Sequence, residues 1–440
     1  MVAKNAYSSK NLCYKPIRPW GSIAKLYHFI ISSFYQTMFP SILDIDLFKA
    51  YAKEHKLQPF RVKQVYHEIF ANQNINFADM TTLSKELRED LERDFSLMPF
   101  TVENLIEDEE STKIWFKTED GHIIESVILY HWDRRNWEIE NWDIEDFDSN
   151  NSQSPILNPQ SPGSNDHNKL NRITLCISSQ VGCPMNCLFC VTGKLGLKRN
   201  LSREEIIGQV LYANNYIKNK FWKKDDGTLY GVRNVVFMGM GEPLLNYENM
   251  KKSIEIMLGQ EFGLSLSRRH VTISTAGIIP WIKKLIEDNV QVKLAISLHA
   301  PTQELRDKLM PIAKKYPLNE LMATIDDYVK ATDNRIFYEY IMIKNVTDKP
   351  ELANELARLL RWRLAHVNLI AYNQNPAIDL QESDEKQMRR FKELLEKEGI
   401  TVTVRASMGR EGKGACGQLG YEETLSLQDK KRGKVETLKD

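Results

Sequence analysis

The sequence predicts an α/β fold, a parallel sheet with crossover helices, preceded by a small helical domain. Two observations carry this. From Arg172 to about Ser407, strand-like apolar runs alternate with helical stretches, which is the rhythm of βαβ units. Polar clusters follow directly after five of those runs, and in parallel α/β folds chemistry gathers at the C-terminal ends of strands. With 440 residues, 42% of them hydrophobic, the chain can bury a large core, and its length suggests about three domains.

The elements read in order as follows. Residues 1–43 carry Lys4, Lys10, Lys15, Arg18 and Lys25 and no acid. A transit peptide, a disordered basic tail and an upstream start with Met38 as the true one all fit, and the last is favoured. Residues 44–100 form a helical accessory domain. There Leu47, Tyr51, Val62, Val65, Tyr66 and Ile69, then Leu83, Leu87 and Leu91, recur at helical spacing. Residues 101–132 turn to strand character, with Lys113–Lys117 and Ile123–Leu129 around Glu119-Asp120-Gly121. Residues 133–170 are acidic, then rich in Asn, Ser and Pro, the composition of a disordered insert. The α/β region spans 171–408. Its expected strands are Ile173–Ile177, Val232–Met238, His270–Ser274, Val292–Ser297, Ile336–Ile343, Val367–Ala371 and Thr401–Val404. Residues 409–440 close the chain.

Composition removes several function classes. Lys+Arg and Asp+Glu both number 59, so there is no uniformly basic coat for nucleic acid. No apolar run reaches the length of a membrane span. Six cysteines in so long a chain do not make a secreted disulfide scaffold. Four of them fall between Cys176 and Cys190. That grouping points to metal or redox chemistry in a reducing compartment, expected to be the cytoplasm, or an organelle if residues 1–43 are a transit peptide.

Cys183, Cys187 and Cys190 stand at Cx3CxxC spacing after the first strand. Three cysteines can hold three irons of a cubane and leave the fourth open, whereas structural sites are usually closed by four ligands. A zinc site completed by a distant residue is the competing reading. The other strand ends carry Gly239-Met240-Gly241-Glu242-Pro243, Ser274-Thr275-Ala276-Gly277, Ser297-Leu298-His299-Ala300-Pro301 and Tyr372-Asn373-Gln374-Asn375-Pro376.

The string Cys183-Pro-Met-Asn-Cys187-Leu-Phe-Cys190 resembles the cluster motif of the radical S-adenosylmethionine (radical SAM) superfamily. The longer Thr174-Leu-Cys176-Ile-Ser-Ser-Gln-Val-Gly-Cys183 is more specific. With Met238–Asn246, Leu294–Pro301 and Ala415-Cys416-Gly-Gln-Leu419, it is similar to the RlmN/Cfr family of RNA adenine methyltransferases. The likeness runs from about Leu47 to Leu419, apart from the insert.

The resemblance implies a partial (β/α) radical SAM barrel with a helical accessory domain and a short β extension. It implies a 4Fe–4S cluster on Cys183, Cys187 and Cys190. Two molecules of SAM would be used per turnover, held by Gly241, Glu242, Ser274, Ser297, Leu298, His299 and Asn373. Taken alone, each of these is more often a cap, a turn or a core residue. Cys416 would be methylated by SAM, and its methyl group would become a carbon radical that adds to adenine. Cys176, which alone reads equally well as a core strand residue, would attack the Cys416 sulfur, release the methylated base and leave a disulfide. Glu125 would act as general base on the adduct, although a strand carboxylate can also simply face outward.

RNA should leave a local electrostatic footprint. Between Val191 and Lys224, eight Lys or Arg face only Glu204 and Glu205. Lys194, Lys198 and Arg199 are expected toward phosphates, with Lys218–Lys224 a solvated helix face. Arg268, Arg269, Lys430, Lys431 and Arg432 are further candidates. The expected reaction is methylation of adenine carbon 2 in 23S rRNA and in tRNA, with a flavodoxin-type electron donor and a monomeric enzyme. The alternatives are the carbon 8 branch that confers antibiotic resistance, a radical SAM activase or synthase, and a zinc-stabilised RNA-binding module.

Overall fold

The computed structural model describes residues 39–133, 169–221, 230–375, 378–405, 408–410, 412 and 414–420. Most of the N-terminal extension, the body of the insert, Lys223, Lys224 and the basic C-terminal cluster lie outside them.

Three helices open the described chain, Ile45–Glu54, Pro59–Phe70 and Lys85–Asp94. Asp44 and Ser84 cap the first and third by accepting from the amides of Leu47 and Leu87, and Pro59 starts the second. Their apolar faces meet in a ring cluster of Phe48, Tyr51, Tyr66 and Phe95. Tyr66 then stacks edge-on against Phe262, 5.4 Å away, which binds the helices to the body of the protein.

Ten strands form one sheet. β1 (Phe100–Glu107), β2 (Ser111–Thr118), β3 (Ile123–Asp133) and β4 (Lys169–Cys176) are antiparallel neighbours. A side pair, β5 (Gln180–Gly182) and β6 (Leu197–Asn200), brackets the cysteine loop. From β4 the main sheet continues in parallel through β7 (Asn234–Phe237), β8 (Val271–Thr275), β9 (Lys293–Ser297), β10 (Ile336–Met342), β11 (Ala365–Ala371) and β12 (Thr401–Arg405). Helices connect successive parallel strands, for example Arg203–Phe221 before β7 and Tyr247–Leu258 before β8. The sheet runs on into the antiparallel strands at β4 rather than closing on β12, so the (β/α) barrel is partial.

Two element differences have physical causes. β1 carried no alternation of its own because it is the sheet edge, with nearly every residue after Phe100 exposed. β5 and β6 are too short to show a period. β3 reaches Asp133 and β4 begins at Lys169, so both ends of the 133–170 stretch, expected to be disordered insert, are strand. Among the described residues, no helix is long and apolar enough to cross a membrane.

Candidate active site

The polar strand ends meet at one mouth. Ser179 and Gln180, after β4, donate their amides to the Met240 carbonyl after β7. The Gln180 side chain accepts from the Glu242 amide at 2.8 Å. Glu242 in turn accepts from the amides of Leu244 (3.1 Å) and Ala276 (2.7 Å), so its carboxylate ties the end of β7 to the end of β8. Burial pushes Glu242 up to about 7, against the pull of these amides and the Thr275 hydroxyl. Gly239 is required by the chain itself, since a Cβ there would lie 2.6 Å from the Ile177 carbonyl. Its smallness serves this internal contact.

Ser274, Ser297, Leu298 and His299 stand at the ends of β8 and β9. The amides of Leu298 and His299 both donate to the Glu339 carbonyl of β10. His299 adopts a positive φ of 57° and is buried. Its Nδ1 accepts from the Ile341 amide at 3.2 Å, so the neutral ring carries its proton on Nε2. Burial, then the neighbouring Arg306 cation, lowers its pKa to about 3.

The cysteine loop lies across this mouth. Cys183 and Cys187 are buried and Cys190 is half-buried. The loop is pinned by Cys183 N–H to Gly196 O (3.1 Å) and Leu188 N–H to Leu309 O (2.8 Å). Phe189 sets its ring against His299, centroids 4.7 Å apart. Burial raises the Cys183 and Cys187 thiols, and each is raised further by neighbouring cysteines of the trio. Bound iron would hold them as thiolates. Among the described residues, no three Cys, His, Asp or Glu side chains converge on a single metal-ion position.

The segment 408–420 lies over the β extension. A Cβ on Gly414 would meet Val127 at 3.3 Å and Lys113 at 3.5 Å, so this backbone rests on β2 and β3. Hydrogen bonds to the loop after β11, the helix Val191–Leu195 and β3 hold its far end. Asn373 Nδ2 donates to Cys416 O (3.1 Å), Val191 N–H to Gly417 O (3.0 Å) and Thr192 Oγ1 to Leu419 O (2.7 Å). Gln418 Nε2 donates to Gln374 O (3.1 Å), and Gly420 N–H to Glu125 Oε2 (3.0 Å). Leu419 packs with Val127, Leu195 and Met240, and Cys176 packs against the same cluster.

Cys416 is thereby exposed at the mouth with Cys176 close beneath it. Burial, reinforced by the neighbouring Cys416, raises the Cys176 thiol to about 12, while Arg405 pulls it down. The Cys416 thiol is also raised, because protein surrounds its sulfur even where water reaches it, and Arg405 again opposes the shift.

Sequence reasoning missed four charged groups here. Lys113 pairs with Glu125 at 3.0 Å. Arg405, at the end of the last barrel strand, reaches Met238 Sδ after the second (3.5 Å) and Glu339 (3.4 Å). Glu339 is a lone carboxylate in an apolar strand, the same signal that singled out Glu125. Arg306 is fully buried and donates to Ala276 O at 2.7 Å. Of the basic candidates, Arg199 is engaged by Asp120 and Glu205, and Lys218 bonds Asn72 O and Asn74 Oδ1. Neither is a free cation for phosphate.

The residues suit the cofactors the motifs suggest. Three thiols are the only cysteines on the loop, and the buried Asn373 Oδ1 and Tyr372 hydroxyl at the end of β11 lack a protein partner. Buried polar atoms left so are ready to meet a polar ligand.

Comparison with known proteins agrees. Residues 177–357 match the radical SAM superfamily, and residues 42–97 match the ribosomal RNA large subunit methyltransferase N-terminal domain. A crystal structure of a radical SAM methyltransferase from Sphaerobacter thermophilus superposes with a TM-score of 0.72 at 34% identity, covering 86% of this chain and 99% of that one. The fold and site are those of a radical SAM enzyme, a class that uses a 4Fe–4S cluster and SAM. The Dual-specificity RNA methyltransferase RlmN of Campylobacter jejuni is 38% identical, over 83% of this chain and 93% of its own length. A "Probable dual-specificity RNA methyltransferase RlmN" from Dictyoglomus turgidum is 40% identical, over 82% and 90%. The chain belongs to the RlmN family of radical SAM, SAM-dependent RNA methyltransferases.

Proposed function

We propose that this enzyme methylates carbon 2 of an adenine in 23S rRNA and in tRNA, through a methyl group carried on Cys416 and a transient Cys176–Cys416 disulfide. The observation that carries the reading is the nearness of the two thiols, close enough for Cys416 to raise Cys176 electrostatically, with the Cys416 segment tied through Gly420 to Glu125. The relatives' description as dual-specificity supports more than one RNA substrate.

Cys183, Cys187 and Cys190 would hold the cluster. When bound, it supplies and takes back the single electron on which SAM cleavage and rearomatisation of the adduct depend. Glu242 would accept from the SAM ammonium, with Gly241, Ser274, Ser297, Leu298, His299 and Asn373 around the rest of the molecule. A first SAM would methylate Cys416 and a second would activate that methyl group. After the carbon has joined adenine, Glu125 would take the ring proton. The Cys176 sulfur would then bond to the Cys416 sulfur as the S–CH2 bond breaks, its electron pair leaving with the methylene carbon, which is protonated to methyl. Arg405 favours the thiolates this exchange needs. A flavodoxin-type protein is the proposed electron donor. One chain is the proposed working unit, since it supplies every group named, and the reducing cytoplasm is the proposed setting.

The test is anaerobic turnover of reconstituted protein with SAM, dithionite and unmodified 23S rRNA fragment or tRNA, read by nucleoside mass spectrometry. Formation of 2-methyladenosine in both RNAs is expected. Formation of 8-methyladenosine instead would place the enzyme in the resistance branch, and bound zinc without sulfide would overturn the redox reading.

A further inference from the structure

Lys113 and Glu125 form an ion pair in the interior of the β extension, Nζ to Oε2 3.0 Å, with side chains only 1% and 3% exposed. The strands dictate the pairing. Trp115 stands opposite Glu125 in the β2–β3 register and Lys113 opposite Val127, so all four share one face. That face lies beneath the Gly414 backbone of the Cys416 segment. The Lys113 ammonium also sits 4.5 Å from the Trp115 ring centroid.

A buried ion pair is a weak stabiliser, because desolvation cancels most of its attraction. Its effect on the carboxylate is larger. Buried alone, Glu125 would hold a proton and be unable to take another. The groups opposing that burial are Lys113 and Trp115 from β2 and the Gly420 amide from the Cys416 segment. Of these only Lys113 carries charge.

We propose that Lys113 is the positioning residue of the general base: its ammonium pairs with the buried Glu125 carboxylate, opposes its protonation and aims it at the segment that carries Cys416. This rests on the reading of Glu125 as general base. In the step served, the ring C–H bond of the RNA adduct breaks, its electron pair stays with the purine, and the proton passes to a Glu125 carboxylate oxygen. The ion pair with Lys113 lowers the cost of the ionised carboxylate before transfer.

The experiment compares Lys113→Met, Lys113→Arg and Glu125→Gln in the reconstituted full chain with SAM, reductant and RNA. Three quantities are read: the methyl on Cys416 by protein mass spectrometry, covalent RNA–protein adduct on denaturing gels, and the pH dependence of adduct resolution. Lys113→Met should keep the Cys416 methyl, accumulate adduct and slow its resolution on the order of 100-fold. Its acid limb should move to higher pH, because the carboxylate stays protonated longer without the cation. Lys113→Arg should restore most of the rate. A Lys113→Met enzyme with wild-type resolution and pH profile overturns the proposal. So does loss of the Cys416 methyl in both Lys113 variants while Glu125→Gln retains it, which would make Lys113 a prop for the segment. Normal turnover by Glu125→Gln would instead overturn the general-base reading itself.

Discussion

The two halves of the site are built differently. The cofactor half is a set of strand ends cross-linked by backbone hydrogen bonds, Ser179 and Gln180 to Met240 and Leu298 and His299 to Glu339, and by the Ala276 amide donating to the Glu242 carboxylate. Each tie joins strands that are already neighbours or nearly so. The Cys416 half is a segment outside the sheet, held by single hydrogen bonds to Asn373 and Gln374 in the loop after β11, to Val191 and Thr192 on the helix after the cysteine loop, and to Glu125 on β3. A rigid frame suits a cluster that must stay in place. A lightly tethered segment suits a sulfur that, in the proposed reaction, would meet SAM, then RNA, then Cys176. Opening a segment with few buried contacts costs far less than opening a sheet.

The sharpest test separates the halves. Cys187→Ala should lose iron and sulfide and all SAM cleavage. Cys416→Ala should keep wild-type iron and sulfide content and yet form no methylated adenosine. If Cys416→Ala also lost the cluster, the halves would be one structural unit and the comparison would fail.

Cys176→Ala should come next in size. Adduct formation should proceed and release should stall, giving RNA covalently bound to protein on a denaturing gel. Free methylated RNA at a wild-type rate would remove Cys176 from the exchange.

A pH effect follows from Glu242, held up to about 7 by burial. Its raised pKa means that the folded protein holds this proton more tightly than the unfolded chain does. That contribution to stability is present at low pH and is lost as pH rises through the window ending near 7. In the proposed binding mode the SAM ammonium would require the ionised form. SAM affinity, measured by equilibrium dialysis, should therefore fall toward about tenfold per pH unit below that pKa. Glu242→Gln should bind SAM weakly with no such slope.

The smallest effects are on stability and should differ in kind. Gly239→Ala forces a Cβ onto the Ile177 backbone and should cost about 1–3 kcal/mol, seen as a lower Tm. Thr192→Val leaves the Leu419 carbonyl without its donor and should cost about 1 kcal/mol, confined to the segment. Hydrogen exchange should then rise around 414–420 while Tm hardly moves.

Much of the site could be read in the chain. Cys183, Cys187 and Cys190, Glu242 and His299 lie in contiguous strings after strands with a clear period, so position along the chain predicted position at the mouth. Cys416 was legible from its unusual string, although its segment is held from as far away as Glu125, 295 residues before Gly420. Lys113, Arg306 and Arg405 were not legible as site residues, because each looks ordinary locally, whereas Glu339 stands out as a lone carboxylate in an apolar strand and was overlooked. A lysine in a strand reads as an outward position, and only the β2–β3 register turns Lys113 onto the face of Glu125. Arg199 failed in the other direction: a basic residue after the cluster reads as a phosphate ligand, yet Asp120 from the β2–β3 turn takes its guanidinium.

The sequence by itself determined the fold class, the cluster loop and the order of motifs along the sheet, since hydrophobic period and local spacing encode them. Only the tertiary structure decided which charges are buried together, which thiol lies under which, and what holds the Cys416 segment. Those outcomes depend on strand register and on contacts between residues hundreds apart, where a shift of one position would turn Lys113 away from Glu125.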